Sequence, residues 1–361
     1  MKIKIFLAVL VFLFFNQLSL SQNHENLDVM IDSLFSEFNS ENAPGASVMV
    51  IQNGNIIFDK SYGFANLEKE ERTDRNTNYR LASVTKQFTA ASVLMLIDRK
   101  KLTLSTNLKD AFEDFPDYGR KITVYQLLTH TSGLIDYESL IPDTATEQVH
   151  DGDVLNMMMR IDSLYFEPGT KYKYSNTAYA LLALIVEKMS GKSFAEFLKE
   201  NIFDPLSMKS TVAHQEGRST VKKRAFGYSK KDDDFFFDDQ SLTSAVLGDG
   251  GIYSSAGDLF EWDQSLYFNN LISSKLRSQA FSHALLSNGE KINYGFGWHL
   301  EKRFDRDIIY HTGSTRGFRN VLYRIPSDEL SVIILTNRNE GEPKKIAEKI
   351  IEYLLNNLGV R

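Results

Sequence analysis

Strand-forming runs at both ends of the chain, with a long helical stretch between them, predict an α+β fold: one mixed sheet carrying a helical insertion. Near the start, the runs 46–51 and 56–58 are rich in Val, Ile, Met and Phe and flank Gln52-Asn53-Gly54-Asn55. Asn-Gly between two such runs marks a tight hairpin, because both residues tolerate the positive φ that a two-residue turn demands. Near the end, four further runs read as strands, at 295–300, 308–310, 318–325 and 330–336. The middle, from about Lys100 to Asp263, reads mostly as helices joined by long loops.

The elements follow in order. Lys2 and Lys4 precede an apolar run, 5–15, too short to cross a bilayer, which takes about 20 helical residues. Small residues at Ser19 and Ser21 suit cleavage after Ser21. Residues 1–21 are therefore expected to be an export signal, and 22–361 a mature chain that is periplasmic or secreted. A short retained membrane anchor is the rival reading; no second span follows, so no stable membrane span is expected after cleavage. Leu27, Ile31, Leu34, Phe35 and Phe38 then recur at helical spacing until Pro44-Gly45. After the hairpin, Arg80-Leu81-Ala82 leads into a helix over about 83–99, with Val84, Phe88, Ala91 and Met95 as its apolar stripe. A helix over 177–190 stops at Gly191, and Ser193-Phe194-Ala195-Glu196 is a capping box for the next, which Pro205 closes. Residues 230–239 are charged and aromatic without periodicity and read as a solvated loop; the three Asp lack EF-hand spacing. A final helix covers about 343–358, with Ile346, Ile350, Tyr353 and Leu354 on one face.

Composition narrows the function. Of 361 residues, 42% are hydrophobic and 24% charged, enough apolar material for a full core. A net charge of −6 argues against a nucleic-acid partner. The absence of Cys excludes disulfides, thiol catalysis, Cys-based zinc and a lipid anchor on cysteine. The seven His are scattered and form no H-E-x-x-H, so no metal and no cofactor are expected. No G-x-S-x-G is present, which leaves an α/β-hydrolase elbow unsupported.

What remains is Ser-x-x-Lys, which occurs twice, at Ser83-Val84-Thr85-Lys86 and Ser219-Thr220-Val221-Lys222. Tyr-x-Asn also occurs twice, at Tyr174-Ser175-Asn176 and Tyr267-Phe268-Asn269. Ser83 stands where a strand-like approach becomes a helix, so Ser83 and Lys86 share one face and the helix N-terminus lends positive potential. Ser219 is followed by Lys222, Lys223 and Arg224 with no apolar stripe to anchor a helix. A hydroxyl needs an adjacent base, and a solvated lysine near pKa ~10.4 stays protonated. Only the Ser83 copy offers a buried setting that lowers this pKa. Tyr174 beside the lysine suits a phenolate or a proton relay, and Asn176 suits orienting substrate and lysine. His311-Thr312-Gly313 follows a strand-like run, and its small residues let a substrate backbone approach. The N–H of Ser314 then pairs with that of Ser83 as an oxyanion hole. His130 is read as a structural loop residue.

With these residues in place, the chain resembles the serine β-lactamase and penicillin-binding protein superfamily, most nearly its class C-like branch, which includes D-aminopeptidases, DD-carboxypeptidases and esterases. Four further stretches carry the likeness: 127–134 (LLTHTSGL), 166–169 (FEPG), 250–255 (GGIYSS) with Asp258, and 311–318 (HTGSTRGF). The likeness runs from about 27 to 358. It implies a five-stranded antiparallel sheet flanked by helices, in a sheet lobe of about 26–80 and 291–361, plus a mainly helical lobe of about 81–290. It also implies acyl transfer: Ser83 attacks a carbonyl, Lys86 and Tyr174 move its proton, and water releases the acyl group. The third motif often begins with lysine in true β-lactamases and DD-peptidases; here it is His311, a weaker, pH-dependent anchor for a substrate carboxylate. That departure shifts weight toward an esterase or D-amino-acid peptidase, with small-molecule or peptide substrates that include peptidoglycan-derived ones. A true β-lactamase or DD-carboxypeptidase is the first alternative, and a non-catalytic binding or sensing domain the second.

Overall fold

The computed structural model describes residues 26–267 and 271–357. The segment 1–21 lies outside them, as do Leu358, where the last helix was expected to end, and most of the second Tyr-x-Asn. Helix α1 covers 26–34 and is followed by a 3-10 turn, Ser36–Asn39. Strands β1 (Ala46–Gln52) and β2 (Asn55–Tyr62) form the expected hairpin, with Asn53 at φ 50 and Gly54 at φ 72. Both central residues have positive φ, which matches the turn to the twist of the strands. Strands β3 (His299–Arg303), β4 (Arg306–Thr315), β5 (Phe318–Ile325) and β6 (Leu330–Thr336) complete one antiparallel sheet, in the order β3-β4-β5-β6-β1-β2. The sheet thus has six strands where five were expected.

Period-two alternation splits the sheet's side chains between two cores. Val48, Val50, Val332 and Ile334 face Leu27 and Ile31 of α1 and Ile350, Ile351 and Leu354 of the C-terminal helix, Pro343–Asn357. Met49, Ile51, Ile333 and Leu335 face the other way, into the larger core shared with the helices of the middle of the chain. Strand β6 is buried along its whole length, as befits an interior strand covered on both faces. Each such aliphatic side chain contributes roughly 1.5–3 kcal/mol of burial.

Helix α2 (Lys86–Asp98) differs from its expected amphipathic form. Residues Lys86 to Leu96 are all buried, so it is a central helix with no solvent face. Its polar side chains bond inside the protein: Trp262 Nε1 donates to Gln87 Oε1 at 2.8 Å, and Ser92 Oγ to the Phe88 carbonyl at 2.9 Å, while Gln87 Nε2 has no partner among the described residues. The helical region also contains α3 (Asp151–Met159), α4 (Asn176–Ser190, ended by Gly191 at φ 73) and α5 (Ala256–Ser265). The capping box at Ser193 and Glu196 is present as expected.

Two other expectations need correction. Residues 230–239 are not a loop: Tyr228–Lys231 and Asp234–Phe237 pair as a hairpin turning at Asp232, φ 56. The run 295–300 does not start a strand at Gly295, because β3 begins at His299. Gly297, at φ 82, lies so close to the Lys86 carbonyl that a Cβ there would collide with it.

A buried ion pair ties α5 to the sheet. Arg324 Nε of β5 donates to Asp263 Oδ1 at 2.5 Å, and Ser331 Oγ of β6 donates to the same oxygen at 2.8 Å; both charged side chains are 1% exposed or less. Removing one partner strands the other's charge in a dry interior. Asp263→Ala should therefore destabilise the fold by about 3–5 kcal/mol, read from urea unfolding; a loss below about 1 kcal/mol would show that solvent relaxes the site.

Candidate active site

The short strand Tyr79–Arg80 delivers the chain to a 3-10 turn, Ala82–Thr85, which runs directly into α2. Ser83 sits in this turn rather than in the first turn of an α-helix. Ala82, just before it, holds φ 50, a conformation an L-residue adopts at a cost and keeps only where its surroundings enforce it. The enforcement is visible. Leu81 N–H donates to the Ile252 carbonyl at 2.8 Å, and Asn320 Nδ2 of β5 donates to the Arg80 carbonyl at 2.8 Å. Strand β4 crosses the turn so closely that a Cβ on Gly313 would collide with the Leu81 carbonyl oxygen. The smallness of Gly313 therefore serves packing of the strand on the nucleophile turn, a role beyond the substrate access expected of it.

Lys86 lies one helical turn on, completely buried. Its Nζ donates to Ser83 Oγ at 3.1 Å, Asn176 Oδ1 at 2.8 Å and the Asp249 carbonyl at 2.9 Å. Burial pushes its pKa from 10.5 down to about 8, with the nearby Asp249, Asp136 and Glu138 charges pulling the other way. Asn176 opens α4 behind the N-cap Ser175, whose Oγ accepts from Ala178 N–H. Its amide bridges outward, Nδ2 donating to Glu138 Oε1 at 2.9 Å.

The Tyr174 ring lies 4.9 Å from Lys86 Nζ. Its hydroxyl is buried and has no hydrogen-bond partner among the described residues. Burial drives the phenol well above its ordinary pKa, and the neighbouring Ser83 hydroxyl pulls only partly against this. The direction of the shift favours the neutral hydroxyl over the phenolate. His130 fixes the loop: Nδ1 accepts from Ser175 N–H at 3.0 Å, and its ring packs tilted against that of Tyr174, centroids 4.2 Å apart.

Thr312, Gly313 and Ser314 lie on β4 beyond Tyr310, where pairing with β3 ends, so one edge of this stretch is unpaired. Ser314 lines the same small cavity as Ser83, Tyr137, Glu138, Asn176 and Asp249. His311 departs from its expected role. It is buried; Nδ1–H donates to the Thr312 carbonyl at 2.7 Å, and Nε2 accepts from the Tyr294 hydroxyl at 3.0 Å. Burial holds its pKa well below 6.5. A buried imidazole with both nitrogens engaged and its pKa lowered is poorly placed to serve as a cationic carboxylate anchor.

The other motif copy is not brought into this site. Ser219 Oγ bonds to His214 Nδ1 at 3.1 Å and Gln215 N at 2.9 Å, and with the exposed Lys222 it lines a separate, larger cavity of about 620 Å³. Sequence reasoning missed Glu138, Asp136, Tyr137 and Asp249. Asp249 lay beside the matched glycines; the other three, at the N-cap and start of the 3-10 turn Tyr137–Leu140, left no signal.

Comparison with known proteins gives the family and the fold. The Beta-lactamase family model matches residues 31–355, and the chain belongs to that family. Penicillin-binding protein 4* of Bacillus subtilis is 31% identical over 90% of this chain and 75% of its own length. D-aminopeptidases of Gluconobacter oxydans and Brucella ovis are 28% and 30% identical over 81% and 86% of this chain; it spans only 56% and 60% of their length. A penicillin-binding protein homologue from Pyrococcus abyssi superimposes with a TM-score of 0.79, at 24% identity, over 92% of this chain and 77% of its own. D-amino acid amidase from Ochrobactrum anthropi SV3 does so with a TM-score of 0.77, at 20% identity, over 92% and 99%.

Gly313→Ala tests the geometry of the turn. The added methyl must push β4 off Leu81 and move Ser83 by a fraction of an ångström or more. Labelling of Ser83 by a fluorophosphonate should slow by roughly 10²-fold with the circular dichroism spectrum unchanged; wild-type labelling would show that the turn yields freely.

Proposed function

We propose that the chain is an exported serine hydrolase of the class C-like branch that forms an acyl-enzyme on Ser83. Its substrates are then D-amino-acid amides, esters or short peptides bearing a free amino group on the acyl side. The observation that carries the catalytic half is Lys86, buried against Ser83 Oγ with its pKa lowered to about 8. An amine held this way is a competent base near neutral pH, whereas a solvated one is not.

In this reading Lys86 takes the Ser83 proton as Oγ forms an ester bond to the substrate carbonyl. The N–H groups of Ser83 and Ser314 hold the developing oxyanion. The bond to the leaving amine or alcohol breaks, and the neutral Tyr174 hydroxyl relays the proton to it. Water then hydrolyses the ester and restores Ser83. Asn176 keeps Lys86 aimed, Thr312 and Gly313 offer a strand edge to the substrate backbone, and His311 keeps Tyr294 in place behind Tyr174.

The acyl-side preference follows from charge. Glu138 and Asp249 line the cavity and Asp136 adjoins it, with no ion pair to Lys or Arg at any of the three among the described residues. The cavity wall also carries the Arg80 guanidinium, bonded to the neutral Gln240 Oε1 and Ser244 carbonyl and still charged, so three acidic groups stand against one guanidinium there. Such walls favour an ammonium and disfavour the carboxylate of a penicillin or a DD-peptide. The named activity of the D-aminopeptidase relatives is consistent with this.

The test is a substrate panel of D-alanine p-nitroanilide, its N-acetyl form, a p-nitrophenyl ester and nitrocefin, with Ser83→Ala as control. Turnover of the free-amine anilide should depend on Ser83, and N-acetylation should cost about tenfold or more in kcat/KM. Glu138→Gln should erase most of that difference by raising KM. Fast nitrocefin hydrolysis, or indifference to acetylation, would overturn the substrate assignment. Fluorophosphonate labelling should also rise with pH through about 8, because the reactive form is the free amine; a flat profile there would remove Lys86 as the base.

A further inference from the structure

We propose that Asp151 is a positioning residue for the Ser83–Lys86 pair, acting through the turn Leu247–Gly250 that presents the Asp249 carbonyl to Lys86. The inference rests on the reading of Lys86 as the base. Its ground is a helix start that cannot cap itself. The residue at the N-cap of Leu247–Gly250 is Val246, which has no side-chain acceptor. The first N–H groups of a helix have no partner within it and must find one elsewhere. Here both are satisfied from 96 and 97 residues away: Asp151 Oδ2 accepts from Leu247 N–H at 2.8 Å, and Oδ1 from Gly248 N–H at 2.9 Å.

The same turn is packed against α4, α2 and the Ser83 turn. A Cβ on Gly248 would collide with the Tyr179 carbonyl of α4, and Gly250 lies against Ala82. Thr89 Oγ1 of α2 donates to the Gly248 carbonyl at 2.7 Å, and Tyr137 Oη donates to Asp249 Oδ2 at 3.0 Å. The turn thus carries three acceptors toward α2 and its neighbours, and the Asp151 carboxylate holds its free end. Asp151 touches neither Ser83 nor Lys86, and its effect must pass through the Asp249 carbonyl.

Burial raises the Asp151 carboxyl to about 7, the two N–H bonds pulling against it and the Asp249 charge adding to it. The ionisable group facing Asp151 is Asp249, from the turn. Lys86 from α2, Tyr137 and Glu138 from the 137–140 turn, and Arg80 act in turn on Asp249; the neighbouring Val149, Val154, Ala180 and Val246 are apolar. On protonation one carboxyl oxygen becomes an O–H donor and a weaker acceptor, so the clamp loosens as pH falls through about 7.

The test uses the full chain, a fluorophosphonate probe and a pH series. In Asp151→Asn the amide offers one acceptor and an opposed donor, and the Asp249 carbonyl drifts from Lys86. Labelling of Ser83 should fall about tenfold at its plateau. Its midpoint should move down by about one pH unit, because the ammonium form loses a hydrogen bond. A merely structural loss of stability would lower the melting temperature without moving the midpoint. An unchanged plateau and midpoint in Asp151→Asn, with the wild type responding, would overturn the role of Asp151 alone. No Ser83-dependent labelling of the wild type at any pH would overturn the base reading and the role together. Should the variant fail to fold, hydrogen-exchange mass spectrometry on the wild type decides: intrinsic-rate-corrected protection of the Leu247 and Gly248 amides should drop below about pH 7, and pH-independent protection would overturn the clamp.

Discussion

The desolvation of Lys86 is the constraint on which the site depends. An ammonium taken out of water loses several kcal/mol of hydration, and the protein must either return that in hydrogen bonds or accept a lowered pKa. Both are present: three acceptors surround Nζ, and the pKa still falls to about 8. The acceptors come from a 3-10 turn, the start of α4 and the turn at 247–250. Each must be held to a fraction of an ångström, and much of the surrounding structure can be understood as holding them.

The sheet does so by close approach. Strand β4 lies against the Ser83 turn at Gly313, and the segment before β3 passes under the Lys86 carbonyl at Gly297. Both contacts are backbone on backbone, with no room for a side chain, so the glycines are required by distance and, at Gly297, by a φ of 82 as well. Strand β5 adds Asn320, whose amide fixes the Arg80 carbonyl just before the nucleophile. Ala82 can keep its costly positive φ because its neighbours are pinned on both sides.

Charge around the pair divides catalysis from selection. The histidines behind Tyr174 are buried, and His130 and His311 are held neutral well below their usual pKa. They frame the tyrosine without adding a cation. The acidic groups stand on the other side, at Glu138, Asp136 and Asp249, where burial raises each carboxyl. A carboxylate wall beside a lowered-pKa lysine keeps Lys86 from falling further and sets the sign of the charge the cavity accepts.

The sequence by itself determined the elements whose causes are local. Asn53-Gly54 specified the first hairpin, the strand-like runs 318–325 and 330–336 matched β5 and β6 to the residue, and Gly191 ended α4 where expected. Ser83, Lys86, Tyr174 and Asn176 were legible because their spacing and helix context are local too. Tertiary structure alone decided what depends on partners far along the chain. It made α2 central rather than amphipathic, placed His311 as a buried, doubly bonded imidazole, and brought Glu138 and Asp249 to the site, with Asp151 behind them, from three separate short elements. Burial, not residue type, sets the protonation of these groups, and burial is a property of the packed whole.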